Sequence, residues 1–556
     1  MKWHNVKKVM ACLLAGALLT GAMSGCGSSD TTKEESKTTS SAQQSSASVK
    51  EESSAESQAE ETGITYPIEG NVKLTIAMVA ESAVTAYAED LMATPFGQAW
   101  QEATGVEVEM ITLADADAMS LLYAGGDLPD IIWTSFSSYT GGVDKAIKDG
   151  IIQPLNDYME YAPDLQAVMD SNDMYKKSNT TEDGYIVSFP FIRGDDYLLT
   201  SNGLMIRQDW LDELGLDVPQ TADDLYEVLK AFKEEKGAEV PFSPTDYGLK
   251  SMCIDQGIIT SAFGLVKGGW YQVDGTVHYG VTEPEYKDVL TYLHKLYEEG
   301  LLDPNFQTLD NATRNANIMN GASGVTVSAV GGGMGSYLTT MADDPTYDLT
   351  GFGPLVANAG DTPMSTQYTA AFNGNCCVIT PNCENIEAAV QFLNYGYTEE
   401  GSMLFNYGIE GESYTIENGV ATYTDLIMNN PEGLTKQQAM AQYLRAWNHG
   451  PFVQEKGYME QYANMPQQVA ALNQWTNSDA SKYQMPPVSI AEADTAEYSK
   501  LMGDIDTYIS EMYIKYITGI KSLDTFESEY LATLETLGID RAIEIQQTAL
   551  DNFNAR

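Results

Sequence analysis

The chain predicts an α/β protein of two lobes, each a mainly parallel sheet flanked by helices, with a hinge between them. Three observations lead to this. Between Val72 and Trp133 the hydrophobic pattern alternates between period two and helical period, giving strand, helix, strand, helix, strand within about 65 residues. The same alternation starts again after Pro190. The 556 residues, even after a polar N-terminal stretch is set aside, exceed what one hydrophobic core usually serves.

The first elements are not part of the fold. Lys2, Lys7 and Lys8 precede an apolar run from Val9 to Ala22, and Met23, Ser24 and Gly25 lead to Cys26. A basic start, a short apolar centre and small residues before one cysteine match a bacterial lipoprotein signal, residues 1–25, with Cys26 as the lipidation site. A bilayer-spanning helix needs about 20 apolar residues, and this run reaches that only if marginal Gly and Thr are counted. Residues 26–64 are mostly Ser, Thr, Ala, Gln, Lys and Glu. Such a segment cannot offset chain entropy by burial, so a disordered linker is expected. The expected location is the extracellular face of the cell membrane, with the body tethered through lipidated Cys26.

In the body, Val72, Leu74, Ile76 and Met78 alternate as one face of a strand, and a helix follows from Pro95 to Gly105. Val106, Val108 and Met110 alternate again, a helix covers 114–123, and Gly125 to Pro129 turns the chain into a strand at 130–133. Ligands of such sheets sit beyond the carboxyl ends of the strands, which is where Trp133 falls. The second set has a strand at 203–207, a helix after Thr221, and a helix from Tyr286 to Tyr297 for which Thr282 and Glu285 spell a capping box. A strand at 324–330, a glycine turn at 331–335, a strand at 377–380, a helix at 386–395 and a late helical stripe from Tyr498 to Met512 complete the pattern.

Composition removes several functions. Against 79 acidic residues there are 30 Lys and Arg, a net charge of −49, which argues against nucleic acid as a partner. Of six cysteines, Cys376, Cys377 and Cys383 alone cluster, as buried thiols or with one bridge to Cys383. The four histidines are scattered and no EF-hand loop is present, so no metal and no cofactor is expected. No Gly-x-Ser-x-Gly, His-Glu-x-x-His or Gly-Lys-Ser/Thr motif occurs, and no catalytic residue is assigned.

Five segments carry a resemblance: Gly125-Gly-Asp-Leu-Pro-Asp-Ile-Ile132, Gly150-Ile-Ile-Gln-Pro-Leu-Asn-Asp-Tyr158, Arg207-Gln-Asp-Trp-Leu-Asp-Glu-Leu-Gly-Leu216, Leu296-Tyr-Glu-Glu-Gly-Leu-Leu-Asp-Pro-Asn305 and Asn406-Tyr-Gly-Ile-Glu-Gly-Glu-Ser413. In this order and after Cys26 they resemble the extracellular solute-binding proteins of family 1, the carbohydrate-binding lipoproteins of ABC importers, in their large Gram-positive branch. The resemblance implies a type II periplasmic-binding-protein-like fold that closes on a solute and docks on membrane permease subunits as a monomer. It also implies two discontinuous lobes, residues 65–191 with 310–368 and residues 192–309 with 369–556.

Sugar recognition needs aromatic faces for pyranose rings and carboxylates, amides and Arg for hydroxyls. On that chemistry the expected ligand-binding residues are Trp133 at a strand end, Arg193, Asp195 and Asp196 past the first crossing, and Tyr368 and Asn373 beside the second. Trp270 and Trp447 are candidate platforms outside apolar stripes, and Tyr407 and Glu410 lie near the lobe boundary, where Glu410 could brace the hinge instead. The leading function is an oligosaccharide receptor without enzymatic activity. The alternatives are a peptide or other small-solute receptor of the same transport class, a secreted glycoside hydrolase, which needs two carboxylates about 5 to 10 Å apart, and a surface adhesin.

Overall fold

The computed structural model describes residues 64–136, 139 and 141–556. The signal segment, Cys26 and nearly all of the linker lie outside the described residues.

Leu74 and Ile76 are fully buried on the strand Val72–Val79, which pairs in parallel with Val106–Leu113 and with Ile131–Ser135. The helices Pro95–Thr104 and Ala116–Gly125 make the two crossovers. Each starts on a side-chain cap: Thr94 accepts from the Gly97 amide and Asp115 from the Ala118 amide. The sheet continues with Asn375–Ile379, antiparallel to Ile131–Ser135, and then Phe189–Pro190.

The second sheet has the order Leu349–Phe352, Asn202–Arg207, Val325–Ala329, with the middle strand antiparallel to both neighbours. Parallel bridges from Phe242 to Val325 and to Leu302 extend it. Each sheet is therefore mainly parallel with one reversed member. Parallel neighbours need a long crossover connection, whereas Asn202–Arg207 and Asn375–Ile379 arrive directly from the other lobe and enter in the opposite sense.

This pairing corrects the expected segment boundaries. The strands Val325–Ala329 and Leu349–Phe352 lie on the sheet of Asn202–Arg207, although 310–368 was expected in the first lobe. Asn375–Ile379 lies on the first sheet, although 369–556 was expected in the second lobe. The helices Ile386–Asn394, Glu399–Tyr407 and Lys436–Tyr443 contribute to the first-lobe core, so the later crossing returns the chain to its starting lobe.

One face of the first sheet, with Leu74, Ile76, Ile131 and Trp133, packs against Trp100, Phe392 and Phe405. The other face, with Ile132 and Val378, packs against Met119 and Ala146. In the second lobe Leu204, Ile206 and Val327 join a core built with the helices Ala222–Glu235, Tyr286–Glu298 and Glu492–Ile517. The far face of that sheet carries Trp475, whose indole lies against Gly203. A Cβ at Gly203 would sit 2.3 Å from the ring, so only glycine admits this contact.

The adjacent Cys376 and Cys377 point to opposite faces, as strand periodicity requires, and each is buried in a different core. Cys253, Cys376, Cys377 and Cys383 are all free thiols, which settles the alternative left open by the sequence.

Helix capping separates two similar sequence signals. The helix expected after Thr221 is Ala222–Glu235, and Thr221 caps it in a reciprocal box with Asp224. Thr282 does not cap its helix: residues 280–282 form a tight turn in which its hydroxyl donates to the Tyr279 carbonyl at 2.7 Å. Glu285 then flanks the helix Tyr286–Glu298 without a side-chain cap. Thr221→Ala is expected to destabilise the chain by about 1 kcal/mol in urea unfolding, and Thr282→Ala by clearly less.

Candidate functional site

The two crossings run side by side. The amides of Phe191 and Arg193 donate to the carbonyls of Asn375 and Ala371, and the Thr369 amide donates to the Leu199 carbonyl. A cavity of about 750 Å³ opens on them. Its first-lobe wall is the helix Asp173–Ser178, which presents Tyr175. Its second-lobe walls are the hairpin carrying Gln272 and Gly275 and the final helix carrying Leu550 and Phe553.

The crossing supplies the charges. The Asp195 carboxylate accepts from the Tyr197 amide at 2.8 Å and so starts a tight turn, Asp196–Leu198, that leaves Asp196 exposed at the cavity. Burial raises the Tyr368 phenol above its ordinary value, and the nearby Asp196 charge adds to the effect. Tyr175 is raised in the same way by burial and by Asp196 and Asp195. Both phenols thus remain neutral donors with an apolar ring face. Arg193 is mostly buried, and desolvation brings its guanidinium down to about 10. The group lies 5.2 Å from the Phe191 ring.

Deeper in the first lobe lies a charged cluster that the sequence did not reveal. Arg445, with no exposed surface, makes a two-pronged pair with Glu81, both N–O distances being 2.7 Å. Asn448 donates to the same carboxylate at 2.7 Å. The guanidinium lies 5.0 Å from the Trp133 ring and 5.4 Å from the Trp447 ring. The Trp133 indole donates to His449 Nδ1 at 2.9 Å, which places the imidazole proton on Nε2. Burial, and next the Arg445 charge, push His449 down to about 4.

A second cavity of about 770 Å³ lies between the glycine turn at 331–335 and the start of the helix Lys436–Tyr443. Gly331 is needed there because a Cβ would meet the Tyr462 ring at 2.1 Å. None of the expected residues lines this cavity.

Of the expected residues, Arg193, Asp195, Asp196 and Tyr368 line the first cavity together. Asn373 follows its wall residue Phe372, and its side chain accepts from the Asn375 backbone and amide. Trp133 does not face the cleft: at 2% exposure it packs edge-on against Trp100, because it shares the inner face of its strand with Ile131. Trp270 stacks on Tyr279 at 4.3 Å, and its hairpin, not its ring, reaches the cavity. Tyr407 is buried among Tyr414 and Tyr423 with its hydroxyl on Glu455. Glu410 is exposed and its backbone bridges to Tyr414, away from the cavity lining. Trp447 is partly buried, and its indole donates to the Leu444 carbonyl. The sequence missed Glu81, Arg445 and His449. The one available signal was the dense polar and aromatic run Arg445 to Gly450, interrupting helical stripes.

Few contacts join the lobes at the cavity edge. Lys148 pairs with Glu492, Asn552 donates to Glu182 at 3.0 Å, and Arg556 donates to the Thr180 carbonyl at 2.5 Å.

Residues 82–403 match the family described as bacterial extracellular solute-binding protein. Lipoprotein LipO of Bacillus subtilis is 27% identical over 373 residues, 63% of this chain and 69% of that protein. The fructooligosaccharide ABC transporter substrate-binding protein FusA of Streptococcus pneumoniae is 25% identical over 531 residues, 89% of this chain and 93% of that one. Among solved structures, FusA in complex with kestose superposes with a TM-score of 0.69 at 22% identity, covering 87% of this chain and 99% of that chain. Alginate-binding protein AlgQ2 superposes with 0.67 at 23%, covering 88% and 99%. At these identities the structural likeness is one of fold, two lobes around a cleft. The matched segment spans more than half of the chain, and the chain therefore belongs to the family of bacterial extracellular solute-binding proteins.

Proposed function

We propose that the chain is the receptor of an ABC importer, capturing an oligosaccharide between its lobes and delivering it unaltered to the permease. The observation that carries this reading is the cavity at the crossings, walled by both lobes and combining aromatic faces with hydroxyl, amide and charged groups. Tyr175, Tyr368 and Phe372 offer ring faces for pyranose stacking, while Asp195, Asp196 and Gln272 offer partners for hydroxyls. Trp133, Arg445, Glu81 and His449 act beneath the cleft by holding the first-lobe strand ends in place. The likeness to FusA, whose name records a fructooligosaccharide and whose structure holds kestose, supports an oligosaccharide as solute. Lipid on Cys26 tethers a monomer to the outer face of the membrane, within reach of the permease. Two segments form each lobe: 64–191 with 375–463 in the first, and 200–365 with 466–556 in the second.

Calorimetric titration of the purified chain with a panel of neutral and acidic glycans should give saturable binding, with the glycan recovered intact. Tyr368→Ala should weaken that binding by about tenfold, the loss of one stacking face. Binding to peptides with silence across the glycans would move the assignment to a peptide receptor, and release of reducing sugar would move it to a hydrolase.

A further inference from the structure

Arg193 is out of balance with its surroundings. Among the described residues its side chain has neither a hydrogen-bonding partner nor an ion pair, and its Nη1 is sealed from solvent with no acceptor. Its neighbours are the Phe191 ring, the Tyr458 phenol and neutral His449. Arg207, Arg445 and Arg541 each have an acidic partner, Asp209, Glu81, and Asp494 with Glu497, while Arg314 and Arg556 donate to the Asn315 side chain and the Thr180 carbonyl. A second cation stands behind the same cavity. Lys267 is partly buried, has no carboxylate partner among the described residues, and donates to Gln484 Oε1 at 3.0 Å. Desolvation lowers that ammonium to about 8. Because Lys267 occupies the Gln484 oxygen, the amide N–H groups of Gln484 are the end left for the cavity it lines. Acidic groups are present too, but Asp195 is turned onto the Tyr197 amide and Asp196 stands beside Tyr175 and Tyr368. The cavity therefore offers both donors and acceptors, and Arg193 is the cation on its wall that no protein group pairs.

An unpaired guanidinium on a cavity wall leaves its outward N–H donors to water, and a carboxylate is their best geometric match. We propose that the natural solute is an acidic oligosaccharide, with a uronate carboxylate on Arg193 and the Gln484 amide, and sugar hydroxyls toward Asp195 and Asp196. This inference rests on the oligosaccharide reading of the cavity. It gives the strongly acidic chain one unpaired cation at its cavity, which selects against neutral sugars by leaving Arg193 unmatched when they bind.

The test titrates the purified chain with trigalacturonate, trimannuronate and a glucuronate-bearing xylotetraose, each beside the same glycan with its carboxyl groups reduced to alcohols. At least one uronate should bind about tenfold or more tightly than its reduced form. Arg193→Met should remove that difference, while Arg193→Lys keeps part of it by retaining the charge. Circular dichroism of both variants checks that they are folded. Reduced forms binding as well as the uronates, or a preference that survives Arg193→Met, would overturn the acidic solute and leave the oligosaccharide receptor standing. Binding to none of the six glycans would overturn the acidic solute, and silence across the wider neutral panel as well would overturn the oligosaccharide receptor.

Discussion

Glu81→Gln is expected to remove about 3–5 kcal/mol of folding stability, because it leaves the Arg445 guanidinium buried without a counter-charge. Arg445 is fully enclosed and its partner is nearly so, so water cannot take over the lost role. The change is nearly isosteric, which separates the charge effect from packing. Arg445 also lies against Trp133 and Trp447, so its displacement would loosen the strand ends beneath the cavity. Chemical denaturation at pH 7 measures the loss, and a difference under about 1 kcal/mol, the range of exposed ion pairs, would refute the account. The double variant Glu81→Gln with Arg445→Met should recover part of the loss, since an apolar side chain of similar length needs no partner.

Acidification should act through the same cluster in two steps. His449 is held at about 4 against an ordinary 6.5. Between those values the unfolded chain binds a proton that the folded chain does not, so stability falls as the pH drops from 6.5 to 4 and this loss is complete below 4. The full shift corresponds to about 3–4 kcal/mol. Glu81 adds the second step. Burial alone would raise its carboxyl, but the charge and hydrogen bonds of Arg445, with His449 and Asn448, outweigh burial and keep it below 4.5. Its contribution is complete above 4.5 and disappears as the pH falls through its lowered value. His449→Gln preserves an acceptor for the Trp133 indole and should abolish the upper step selectively. Unfolding midpoints at pH 7, 5.5 and 4 check this, and parallel profiles for the variant and the parent would disprove it.

The fold was legible where local chemistry decides it. Alternation at Val72 to Met78, the helix start at Thr221 and the helix end at Gly105 each act within a few residues, and each appears where the pattern placed it. The lobe assignment of 310–368 was not legible, because the direction and sheet of Val325–Ala329 depend on pairing with Asn202–Arg207, more than a hundred residues earlier. The same reason divides the site. Arg193, Asp195, Asp196 and Tyr368 lie beside the crossings, which a break in periodicity marks. Glu81 and Arg445 are 364 residues apart, and nothing in either neighbourhood records the other. Trp133 was misplaced because a strand end fixes position along the sheet but not which face the side chain takes.

The polar contacts between the final helix region and the first lobe have a consequence for timing. Lys148 with Glu492 and Asn552 with Glu182 are exposed groups, each worth about 0–1 kcal/mol and weakened further by salt. Contacts of that strength cannot by themselves hold the empty chain shut, so the balance between shut and open forms is left to the solute. Solute need add only a few kcal/mol of preference for the shut form to hold it there almost permanently, so the importer can tell a loaded receptor from a vacant one by shape alone.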